Sequence, residues 1–246
     1  MSGRTLLARR SWPQVPERAL VLVPVGSFEQ HGPHLPLDTD TVIAAAVAEG
    51  AADELARRRP DEPVLVAPPV AYAASGEHQS FPGTVSIGHQ ALRSVLVEMV
   101  RSLSAWCGRT VFVNAHGGNL PSLPDAVARM RREGHRVAWA PCRAEGADAH
   151  AGFTETSLML HLAPDRVDMA RAAPGNTAPV AELLPAMAAG GVAAVSPSGV
   201  LGDPTAATAA EGERVLRRMV EEVCALIDGG APGADGRLRR IRAGRR

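Results

Sequence analysis

Between Gly26 and Asp40 the chain reads GSFEQHGPHLPLDTD, so a glutamate, two histidines and two aspartates follow directly on the apolar run ALVLVPV at 19–25. Glu29 and His31 are two residues apart, and side chains at that spacing in an extended segment project from one face. Asp40 has two readings. It opens the next helical stretch and could cap it; if Asp38 or Thr39 caps instead, Asp40 is free to turn toward Glu29 and His31. His116 lies in NAHGGN, where Gly117 and Gly118 leave its ring uncrowded and Asn114 and Asn119 offer hydrogen bonds. A lone histidine in such a loop is more often structural, and it is the company of the other donors that points elsewhere. Carboxylates and imidazoles without thiolate suit zinc, manganese or iron(II). Five or more such donors accommodate two ions about 3.5–4 Å apart with a bridging carboxylate, and water between two such ions loses a proton near neutral pH.

These donors need a frame. ALVLVPV, VLVAPPV (64–70), TVFVNA (110–115) and RVAWAPC (136–142) are short apolar runs of the kind expected of strands buried on both faces. Between them, Val42, Ile43, Ala46, Val47 and Leu55, then Leu92, Leu96, Met99 and Val100, then Leu123, Ala126, Val127 and Met130 recur at helical spacing. Three alternations of strand and helix predict an α/β fold, with a mostly parallel central sheet between two helical layers. Every polar cluster follows the carboxyl end of a predicted strand, where ligands gather in open α/β sheets. Five of the eight histidines, His31, His34, His78, His116 and His150, fall in these loops.

Asp203 and Pro204 read as the cap and first turn of a last helix, and Ala172 to Gly202, rich in Ala, Gly and Pro without a period, reads as loops near the site. A chain of 246 residues suits one domain, placed at 1–229, with 230–246 an Arg-rich disordered tail. All 26 basic residues are arginine, which excludes Schiff-base and P-loop lysine chemistry. Without the tail the body holds 20 Arg against 25 Asp and Glu, so it carries no general nucleic-acid footprint. Cys107, Cys142 and Cys224 form no CxxC pair. No signal peptide or membrane span is expected, and the reading is cytoplasmic.

Taken in order, EQHGPHLPLDTD, FPGTVS, NAHGGN and HAGFTETSLML resemble the creatininase (creatinine amidohydrolase) family, over nearly the whole chain to about Gly229. The resemblance implies a compact α/β/α domain, two divalent metal ions per subunit, hydrolysis of an amide or peptide bond, and a homo-oligomer, commonly a hexamer. Carried over by matching residues, Glu29, His31, Asp40 and His116 are implied metal ligands, with Asp40 the bridge. His150 is implied as the proton-transfer residue, a role an imidazole near neutral pKa suits.

One position departs. Creatinine-hydrolysing members have NGHYEN, whose glutamate binds the second metal, whereas NAHGGN places Gly118 there. Glu155, in HAGFTETS, is the expected replacement, as a ligand and catalytic-site residue or as a group that orients a ligand or His150. His34 and His78 are open between binding substrate, holding a ligand and satisfying their own loops.

FEQHGPHLPLDTDT, SGEHQSFPGTVSIG and GVLGDPTAATAAEGE resemble the branch of the family that matures the mycofactocin precursor peptide. That implies removal of a C-terminal Val-Tyr dipeptide from a modified precursor peptide. A creatinine-like cyclic amide is the alternative small substrate, and a non-catalytic binding module follows if the donors fail to converge. A serine hydrolase is disfavoured because GSFEQ lacks the GxSxG elbow.

Overall fold

The four apolar runs become four parallel strands because every second side chain meets a different helical layer. The computed structural model describes residues 5–143 and 146–241. Strands β1 (Leu20–Val25), β2 (Val64–Val66), β3 (Arg109–Asn114) and β4 (Val137–Pro141) form one sheet in the order β2-β1-β3-β4. Leu20 and Leu22 of β1, with Val111 and Val113 of β3, pack under α1 (Thr39–Arg58), α4 (Phe153–Leu162) and α6 (Ala209–Gly229). Val21, Val23 and Phe112 point the other way, against α2 (Gly88–Leu103) and α3 (Leu123–Arg132). The result is the expected three-layer α/β/α fold.

Strand order matters for the site. From β1 the chain crosses to β2 on one side, then returns over β1 to β3 on the other. The order therefore reverses between β1 and β3, which leaves a crevice beyond their carboxyl ends.

Four expectations are corrected. The run 64–70 is strand only over Val64–Val66, because Pro68 and Pro69 cannot continue the ladder; the chain rejoins β1 at a single bridge, Val25 to Val70. Within 172–202, α5 (Val180–Gly190) forms with Pro185 inside it. The last helix starts at Ala209, where the Thr208 side chain accepts a hydrogen bond from the Glu211 amide, while Asp203 closes its own turn onto Thr205. Finally, residues 230–241 do not behave as a solvated tail. They form an antiparallel hairpin of β5 (Gly230–Pro232) and β6 (Leu238–Arg240). Leu238 is buried in the core, and Trp139 hydrogen-bonds the hairpin through its ring to Asp235 O and through its amide to Gly236 O. The rest of the expected tail, 242–246, lies outside the described residues.

Candidate metal centre

The β1 loop delivers Glu29 and His31, the start of α1 delivers Asp40, and the loop after β3 delivers His116; all four side chains are buried at the reversal point of the sheet. Asp40 could take part because Asp38 occupies the cap position and pairs instead with Arg166. Its carboxylate faces both imidazoles, Oδ1 at 3.4 Å from His31 Nε2 and Oδ2 at 3.2 Å from His116 Nδ1. Glu29 Oε2 lies 3.2 Å from His116 Nε2. From the first turn of α4, Glu155 Oε2 stands 3.9 Å from His31 Nε2. His150, beside α4, places Nδ1 at 3.8 Å from Glu29 Oε1 and 4.0 Å from Glu155 Oε2.

Among the described residues, three sets bring one donor atom per residue within 4.8 Å of the others: Glu29, Asp40 and His116; His31, Asp40 and Glu155; and Glu29, His31 and His150. Asp40 belongs to two of them. All six site residues expected from the sequence thus converge, although they come from loops and helix starts far apart in the chain.

The hydrogen bonds assign the tautomers. His31 Nδ1 donates to Glu29 O at 3.1 Å, so Nε2 faces the carboxylate oxygens and is the atom that holds a proton or, with the proton gone, a cation. His31 Nε2 and both Glu29 oxygens are buried without a hydrogen-bond partner. Carboxylate oxygens turned together in a dry site are stabilised by positive charge between them. The titration behaviour agrees. Burial works against charge on His31, but Asp40 outweighs it and the imidazole is pushed up to about 10. For His116 burial is likewise overcome, by Glu29 and then Asp40, again to about 10. Burial opposes the charge on Asp40 too, yet His31 and His116 hold it well below the usual carboxylate range. Burial raises Glu29 to about 7, with His116 drawing it back. Protons on the imidazoles do here what divalent cations do better, since one ion can face several carboxylates at once. The donors fit such ions.

Several participants were not legible in the sequence. Gln30 is the central one. Its amide nitrogen donates to His78 Nδ1 at 2.8 Å and to Gly199 O at 3.1 Å, while its backbone carbonyl accepts from His150 Nε2 at 2.9 Å. His150 Nε2 also lies 3.0 Å from the Gln30 amide nitrogen, but with both amide hydrogens given to His78 and Gly199, Nε2 donates to the Gln30 backbone carbonyl and a bare Nδ1 faces the cluster. Burial, with His31 and His78 beside it, holds His150 well below the ordinary histidine value, so it stays neutral. Burial and His116 take His78 down to about 3. Gly199, at φ +81°, is needed because a Cβ there would stand 1.9 Å from Gln30 Oε1.

Glu77, after β2, brings Oε1 to 3.6 Å from His116 Nε2. A Cβ on Gly118 would lie 2.2 Å from that oxygen and 2.3 Å from His116 Nε2, so the glycine of NAHGGN clears the space the Glu77 carboxylate fills. The only sequence signal for Glu77 was its place in the loop after β2. His34 sits apart, its Nε2 on Thr156 Oγ1 at 2.9 Å, and ties the first loop to α4. Asn114 holds the His116 backbone carbonyl at 2.8 Å, and Asn119 holds Asn114 and Gly26 O.

A cleft of about 330 Å³ opens over His116 and Glu155, lined also by Leu120, Val180, Arg143 and Arg237. An α/β/α domain with carboxylates and imidazoles gathered at its reversal point has the build of a metal-dependent hydrolase. Residues 8–227 match the family described as creatininase, creatinine amidohydrolase, and the chain belongs to that family. It is 59% identical over 219 residues to the mycofactocin precursor peptide peptidase of Mycolicibacterium smegmatis, covering 89% of this chain and 88% of that one. Among solved structures it resembles a zinc–zinc form of a creatininase variant, at TM-score 0.72 and 25% identity over 91% of this chain and 96% of that one. A manganese form of creatininase superimposes at TM-score 0.71 and 24% identity, with 91% and 97% covered, which shows the fold.

Proposed function

We propose that this chain is a two-metal peptide hydrolase that removes the C-terminal Val-Tyr dipeptide from the modified mycofactocin precursor peptide. The chemistry rests on one observation: the Glu29 oxygens and His31 Nε2 are buried without a hydrogen bond and sit in a ring of further donors. The choice of substrate rests on the likeness to the M. smegmatis peptidase. Glu29, Asp40 and His116 would hold one ion and His31, Asp40 and Glu155 the other, with Asp40 common to both. Bound zinc, manganese or iron(II) would polarise the scissile carbonyl and acidify a water.

The chain's own residues do the rest. His150 is the catalytic residue for proton transfer: Nδ1, unprotonated because Nε2 is committed to Gln30 O, takes the proton of the attacking water and delivers it to the departing amine. Gln30 holds that tautomer, and Gly199 O holds Gln30. Burial of the cluster excludes bulk water and strengthens each interaction with the developing charge. Glu155 accepts from the Ala151 amide at 2.6 Å, which fixes its carboxylate beside His150.

The enzyme is proposed to act in the cytoplasm as a homo-oligomer, with the hexamer implied by the family resemblance; light scattering on the purified protein tests the subunit number. No helix among the described residues is long and apolar enough to cross a membrane. The deciding experiment incubates the purified protein with the modified precursor and follows loss of Val-Tyr by mass spectrometry, before and after chelation and metal return. Cleavage that vanishes with the metal and returns with it is expected. Full activity in metal-free protein, or no cleavage at all, defeats the reading.

A further inference from the structure

Beside the cleft lies a second and larger cavity, of about 980 Å³, between the end of β4, the outer face of α6 and the C-terminal hairpin. Five arginines line it, Arg143, Arg218, Arg237, Arg239 and Arg240, against two carboxylates, Glu221 and Glu222. Arg239 and Arg240 are paired, with Asp235 and Glu222. Arg143 and Arg218 have no carboxylate within 4.0 Å among the described residues, and Arg237 lies over the Trp139 ring, 5.5 Å from its centroid, without one. This concentration of positive charge stands out on a chain with zero formal net charge.

Position makes it more than a surface patch. Pro141, Arg143 and Arg237 line both this cavity and the cleft over His116 and Glu155, so the two share a wall. A volume near the upper end of the range for binding pockets admits a stretch of chain. Guanidinium forks recognise carboxylates in two-pronged fashion and are weakly hydrated, so they exchange water for such partners readily.

We propose that this arginine-lined groove binds an acidic segment of the peptide substrate on the N-terminal side of the scissile bond. The inference rests on the peptide-hydrolase reading. If only a dipeptide leaves, two residues lie beyond the bond and the cleft itself accommodates them. The shared wall gives the remaining chain a route out, and at about 3.3–3.6 Å per extended residue a few residues reach the groove. The hairpin thereby acquires a role: it builds one wall of the substrate path.

The test uses the metal-loaded full chain and compares peptides that share the same modified Val-Tyr end: a long one carrying Glu and Asp upstream of that end and a four-residue one. A third, long peptide has Gln and Asn in place of the upstream acids. The long acidic peptide should show a KM roughly tenfold below the other two, with an advantage that fades as salt rises. Arg218→Glu should erase that advantage and leave kcat within about twofold. Arg217→Glu, one residue along α6 and outside the groove, is the control and should change neither peptide. Equal KM values for the acidic and amide peptides, or an Arg218→Glu enzyme that keeps the full advantage, overturn the groove. Failure of the wild type to cleave any of the three overturns the peptide-hydrolase reading itself, so the two failures are told apart.

Discussion

The buried metal centre and the arginine-lined groove obey different physics. On one side Glu29, His31, Asp40 and His116 are buried; against that burial, Asp40 pushes His31 up to about 10 and Glu29 with Asp40 pushes His116 up to about 10, while burial and His116 take His78 down to about 3. On the other, Arg143, Arg218, Arg239 and Arg240 are exposed, and the partners of Arg239 and Arg240 are in water as well. Exposed ion pairs contribute about 0–1 kcal/mol each and weaken with salt. Desolvation therefore makes one side reactive toward cations, while exposure leaves the other able to exchange one anionic partner for another.

Changes on the buried side should be the most damaging. Glu29→Gln or His31→Ala is expected to lower turnover roughly a thousandfold or more and to reduce bound metal, measured by elemental analysis. Retention of full metal by both variants would break the contrast. His150→Ala should keep its ions and lose turnover by about a hundredfold to ten-thousandfold; a fully active variant would withdraw its role. Glu155→Ala should lower the occupancy of one ion of two, with activity down roughly 10–100-fold. Unchanged metal content there would leave Glu155 as an orienting group for His150.

Gly118→Ala sharpens the same contrast from the backbone. The new methyl meets Glu77 Oε1, His116 Nε2 and Ala74 O inside 2.6 Å, so His116 must shift. A loss of about 1–3 kcal/mol in denaturant melts is expected, with weaker metal retention. Thr208→Ala, away from both sides, should remove about 1 kcal/mol through the lost helix cap and leave kcat/KM alone.

The fold was legible where burial imposes a pattern. Each sheet strand is covered on both faces, so it had to be an apolar run, and α2 and α3 show their apolar stripe because they press on the sheet. α5 escaped notice because it buries Leu183 alone and therefore has no stripe to read. The hairpin escaped for a similar reason: it is anchored by Leu238 and by bonds to Trp139, single contacts that leave no period in an Arg-rich stretch. At the site, Glu29, His31, Asp40 and His116 could be named from residue type and loop position, and His150 and Glu155 from the family resemblance. Gln30 and Glu77 could not, since an amide between two histidines and a glutamate over a glycine become meaningful only when distant loops meet.

Residue chemistry and hydrophobic spacing by themselves determined that this chain would build a parallel α/β/α domain with carboxylates and imidazoles beyond its strands. Tertiary structure decided which of those donors share a cation, which nitrogen of each imidazole is bare, and that the C-terminal arginines wall a groove beside the cleft. The reason is physical: hydrophobic periodicity is a local property written every two or four residues, whereas coordination depends on the meeting of side chains as far apart as His31 and Glu155, 124 residues along the chain.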